Sequence, residues 1–240
     1  MYFPAGQINS VPETEYRFCI ISFMFSVWNK TLQEIRETTA SASPFATSVA
    51  ISIISAVNAC ALLEMTMMIA AEKLNEGNKG KTSDRRQEAG IVGSQVINIR
   101  AVSDTLAALA DEDIRIFQTV LGSGSLKKNT RHNTALKEIT ILRSIRIPLQ
   151  AAEEIMRVFP LINACAGKCP RNLLSDLPAA ANLLEAAIKN LVLAIDANTK
   201  ALQPSRRSNI LESANRLLSY ADSATQEISR ETALSYATVD

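Results

Sequence analysis

The stretch FATSVAISIISAVNACALLEMTMMIAA, Phe45 to Ala71, decides what kind of protein this is. It is long enough to span a bilayer, and a hydropathy window would flag it. Yet it is dominated by small residues, carries Asn58 and Glu64, and has neither an aromatic belt nor a strongly basic flank. A helix that is apolar all round is equally the buried centre of a helical bundle, where closely spaced Ala and Ser let neighbouring helices approach. We adopt that reading, so no membrane is expected. The shorter apolar run FCIISFMFSVW, Phe18 to Trp28, follows an acidic rather than basic leader and lacks a small-residue cleavage site, so it is not read as a signal peptide.

Composition agrees with helix. The chain has 240 residues, 47% of them hydrophobic, with 8 Gly, 8 Pro and few aromatics, and its Ala/Leu content favours helix over sheet. With 25 basic against 24 acidic residues the formal charge is +1, which gives no reason to expect nucleic acid as a partner. An amphipathic helix is expected over Trp28 to Thr39, the apolar helix after a cap at Ser43, and a long helix from Arg85 to Leu121. A further helix runs from about Asn133 to Val158, entered or interrupted near Pro148, before FPLINACAGKCP forms a turn. The last two helices run from Asp176 to about Leu202 and from Ser208 to Ser229. The fold class is all-α: an elongated antiparallel helical bundle over residues 31–240, preceded by an extension, residues 1–30, of unknown role. The apolar helices exceed what a thin bundle can bury alone, so a homodimer is expected.

Local chemistry is sparse. There is no P-loop, dinucleotide glycine fingerprint, H-E-x-x-H or G-x-S-x-G. Cys165 and Cys169 form a C-x₃-C pair with no second pair, and the single histidine, His132, is distant, so no metal is expected. The cysteines read as free thiols in a reducing, cytoplasmic setting. The acidic trio Asp111 to Asp113 reads as a solvated helix face. In KCPRNLLSDLPAAANLLEAAIKN, residues 168–190, Ser175 or Asp176 is placed to cap a helix whose first turn accepts Pro178.

The order of these segments carries a resemblance. A Ser/Pro turn opens a small-residue apolar helix, a lysine-bearing loop leads to a long helix ending DEDIRIFQTVL, and IPLQAAEEIM precedes NLLSDLPAAANLLEAA. From about Leu32 to Leu202 this series resembles the cyclodeaminase/cyclohydrolase family, the second domain of formiminotransferase-cyclodeaminase and the free-standing methenyltetrahydrofolate cyclohydrolases. The resemblance implies an all-helical dimer with folate grooves near the subunit interface, acting on a one-carbon unit held by a tetrahydrofolate derivative. It implies a catalytic Asp176, whose carboxylate would face the methenyl cation or its attacking water. Substrate contacts are implied at Ser43, Ser48, Lys79, Lys81, Asn172 and Ser175. The chain also departs from the family. Phe45, Ala46 and Thr47 stand where three glycines follow the family's proline, and Met65 to Met68 replace Ala-Asn-Leu-Thr. These departures sustain a second reading, a non-catalytic dimerisation or folate-binding module derived from the family. A membrane-inserted Phe45–Ala71 helix is the third.

Overall fold

A computed structural model describes residues 26–42, 45–76, 83–123 and 131–237. Among these there are seven α-helices and no strand. They are α1 (Leu32–Thr39), α2 (Ser48–Glu76), α3 (Ser83–Ser123), α4 (Arg131–Met156), α5 (Phe159–Ala166), α6 (Asp176–Thr199) and α7 (Pro204–Ala237). Short 3₁₀ turns lie at Val27–Asn29 and Arg171–Leu173.

The Phe45–Ala71 stretch forms most of α2, which packs chiefly on α3 and then on α6. Its small residues Ala50, Ala56, Ala59, Cys60 and Ala70 are wholly buried between larger ones such as Ile53, Leu63 and Met67. Side chains this small bring helix axes close together. Both α2 and the stretch Arg171–Thr199 are apolar and long enough to cross a membrane by length and composition, but 50% and 44% of their most apolar windows are buried inside the bundle. Much of that apolar surface therefore already has protein partners. Residue pairing fixes direction: Thr47 meets Asp113 and Glu64 meets Arg100, so α2 and α3 run antiparallel. Arg207–Asp196 and the electrostatic neighbours Lys189 and Asp222 place α7 antiparallel to α6 in the same way. At 41 residues, α3 extends about 60 Å, so the bundle is elongated.

Two local expectations are corrected, and a third falls on a residue outside the described ones. FPLINACA is a helix, not a turn: Phe159, Ile162, Cys165 and Ala166 are buried at helical spacing and Pro160 sits harmlessly in the first turn. Ser175 makes no capping hydrogen bond, because it is itself helical (φ −65°, ψ −22°) and the chain runs from the 3₁₀ turn through Leu174 straight into α6. On the first turn of α2 the capping hydroxyl is that of Thr47, which accepts from the Ala50 N–H at 3.2 Å; Ser43, the expected cap, lies outside the described residues. Meanwhile α1 begins at a capping box, with Thr31 Oγ1 accepting from the Glu34 N–H (3.2 Å) and the Glu34 carboxylate accepting from the Thr31 N–H (2.6 Å).

Pro148 lies inside α4, which continues through it. Proline has no N–H to give the carbonyl four residues back, which is Ser144's. That carbonyl accepts instead from Asn198 Nδ2 of α6 at 2.8 Å. A missing helix bond has become a cross-link between two helices.

Candidate functional site

The acidic run of α3 is not a solvated face. Its three carboxylates point to three different elements, as successive residues on a helix must. Asp111 accepts from the Val27 N–H at 2.9 Å, and one turn earlier the Ala107 carbonyl accepts from Trp28 Nε1 at 3.0 Å, so both hold the first 3₁₀ turn on α3. Glu112 pairs with Arg146 of α4 at 2.6 Å. Asp113 is turned inward, with only 7% of its surface exposed, and accepts the Thr47 hydroxyl at the N-terminus of α2. Burial pushes the Asp113 carboxyl above the ordinary range, and the Thr47 hydroxyl, with the nearby Ala50 N–H as a smaller influence, opposes that shift without cancelling it.

Around Asp113 the turn before α2 is clamped. Ala46 is buried. The Phe45 carbonyl accepts from Gln118 Nε2 at 3.1 Å, and Lys30 Nζ sits 4.7 Å from the centre of the Phe45 ring. The three residues standing where the resembled family has glycines are thus each packed or hydrogen-bonded. Ser48 follows them, exposed, on the first turn of α2.

The other expected site residues are at the far end of the same helix. Lys73, in the last turn of α2, donates to Asn172 Oδ1 at 3.4 Å. Asn172 and Ser175 are exposed, and Asp176 is half-buried at the start of α6. Lys79 and Lys81 lie outside the described residues. Asp176 is close enough to Cys169 to act on it: burial, then the neighbouring Cys165 and Asp176, push that thiol up to about 12. Burial likewise raises Cys165 to about 11 and Cys60 to about 12. None of these cysteines is a thiolate near neutral pH, so none is a candidate nucleophile.

Thr47 and Lys73 are about 40 Å apart along α2 at helical rise. Within one chain, Ser48 and Asp113 therefore cannot share a pocket with Asn172, Ser175 and Asp176. Between the two ends α2 exposes a stripe, with Met65 42% and Met68 41% accessible. A shallow groove of about 370 Å³ lies along it, lined by Ala61, Glu64, Met65, Met68, Ile69 and Glu72.

The sequence profile of the formiminotransferase-cyclodeaminase family matches residues 31–216. The chain belongs to that family. It is 34% identical over 93 residues to the formimidoyltransferase-cyclodeaminase of Rattus norvegicus, an alignment covering 37% of this chain and 17% of that protein's length. Its fold is similar to that of the formiminotetrahydrofolate cyclodeaminase from Thermotoga maritima, with a TM-score of 0.69 at 19% identity over 86% of this chain and 97% of the other.

Proposed function

We propose that the protein is a folate-dependent one-carbon enzyme acting on methenyl- or formimino-tetrahydrofolate, with Asp113 as its acid–base group. The observation that carries this reading is the buried Asp113 carboxyl, held at the N-terminus of α2 within the segment that resembles the family. A raised proton affinity is what an acid–base group working near neutral pH requires. In ring closure a folate nitrogen attacks the formimino carbon, the bond from that carbon to the imino nitrogen breaks, and ammonia leaves after that nitrogen gains protons. In ring opening, water adds to the methenyl carbon and loses a proton. Both reactions need a group that gives or takes one proton beside a cationic carbon, and a second carboxylate there stabilises the cation.

Asp176 supplies that second carboxylate in this reading, and it does so from another copy. Two chains packed antiparallel through the exposed stripe of α2 would bring the Asp113 end of one against the partner subunit's Asp176, Asn172 and Ser175. Ala61, at the start of the groove, is near the midpoint between Thr47 and Lys73, where the twofold axis of such a pair would pass. By the family resemblance, Lys79 and Lys81 are the cations proposed to meet the anionic glutamate tail of the folate.

The test is incubation of the purified chain with 5,10-methenyltetrahydrofolate, following loss of methenyl absorbance, and with 5-formiminotetrahydrofolate, following ammonia release. Turnover of either supports the proposal, and turnover of neither removes it. The filled turn at Phe45–Thr47 favours one alternative, a folate-binding module without catalysis. It predicts saturable binding of reduced folate with neither signal.

A further inference from the structure

We infer that Thr47 is a positioning residue that caps α2 with its oxygen, holds Asp113 with its proton, and so fixes the direction of the buried carboxyl. The inference rests on the reading of Asp113 as the acid–base group. A threonine hydroxyl has one proton to donate. Its oxygen already accepts the Ala50 N–H, and its proton goes to Asp113. The side chain has little freedom to do otherwise. A β-branched residue is stiff at χ1, and the preceding backbone is held by Gln118 on the Phe45 carbonyl, by Lys30 over the Phe45 ring and by the burial of Ala46. Ser48, the next hydroxyl, is exposed and offers no substitute. Where the resembled family has glycine, this chain has placed a donor on the carboxylate, coupling it to the positive end of a 29-residue helix. The hydroxyl favours the ionised form of the carboxyl while burial opposes it.

Direct titration of the Asp113 side-chain carboxyl by ¹³C NMR, on the unliganded protein, separates this role from simple capping. Thr47→Val keeps the shape and removes the hydroxyl, and it is expected to move the Asp113 midpoint upward. Thr47→Ser keeps the hydroxyl and is expected to bring it back. Thr47→Ala, which loses the same proton, gives the reading if the valine variant does not fold. A midpoint unchanged in the hydroxyl-free variant, or moved as far by serine as by valine, overturns the inference. Where the enzyme turns folate over, the matching limb of its pH–rate profile should move in the same direction. The carboxyl titration needs no folate, so it decides the role of Thr47 even if the catalytic reading fails.

Discussion

Asp113 is a carboxylate taken out of water with the Thr47 hydroxyl rather than a cation as its bonding partner, and this arrangement costs stability. Because its folded proton affinity is raised above the unfolded one, ionisation is disfavoured in the native state. The wild type should therefore lose stability as pH climbs from the unfolded carboxyl midpoint, about 3.9, through the higher folded one. Asp113→Asn cannot ionise, and its amide oxygen can still accept from Thr47. Melting from pH 4 to pH 8 should show the variant gaining on the wild type as pH rises, whereas constant spacing would mean that Asp113 does not titrate in that window. Its activity should fall by about a hundredfold or more through loss of the proton carrier. A residue that weakens the fold where chemistry needs it is the usual stability–activity trade-off. The cysteines should behave oppositely: with thiols raised to about 11 and 12, Cys165 and Cys169 should resist iodoacetamide at pH 7.5 in the native protein and react once it is unfolded. Rapid native labelling would contradict the raised proton affinity of both thiols.

At the scale of elements, the Ser144–Asn198 bond tests how α4 and α6 are joined. Asn198→Ala should leave the Ser144 carbonyl unpaired and cost about 1–3 kcal/mol. Pro148→Ala restores an N–H that can reach Ser144 within α4, so in that background the Asn198→Ala cost should shrink. A double-mutant cycle on urea midpoints reads the coupling, and strict additivity would show that proline and asparagine are not linked. The position of Pro148 was legible in the sequence, but its partner was not, because a bond between residues 54 apart leaves no local spacing to read. The long helices were legible for the opposite reason, since the apolar pattern of α2 and the Ala/Leu run of α6 are local and continuous. Local pattern misled in two places. FPLINACA reads as a turn because its proline and the glycine after it outweigh the spacing of Phe159, Ile162 and Cys165, which the structure shows to be helical. Asp111 to Asp113 reads as solvated, although three adjacent carboxylates cannot share one face, and the structure turns Asp113 inward. That divergence of directions is the signal the sequence offers.

At the scale of the whole molecule, the separation of the expected site residues by the length of α2 becomes an argument about assembly. A single chain holds Asp113 at one end and Asp176 at the other, about 40 Å away, so a site that uses both needs two chains. Light scattering should find a homodimer, and replacing Met65 and Met68 by Lys on the exposed α2 stripe should shift it to monomer and abolish turnover together. Subunit mixing then tests the shared site directly. If each site takes Asp113 from one chain and Asp176 from the other, homodimers of Asp113→Asn and of Asp176→Asn are both inactive at every site. A mixed dimer has one site carrying both substitutions and one carrying neither. Equal mixing with free exchange leaves half the dimers mixed, so activity should recover to about a quarter of wild type. If both carboxylates served the same chain's site, every site in every mixture would carry one substitution and mixing would restore nothing. Activity that stays at the level of the parent variants, under conditions where exchange is verified by differently tagged chains, therefore removes the shared site. Recovery near a quarter would place the two carboxylates, remote in the chain, across one interface.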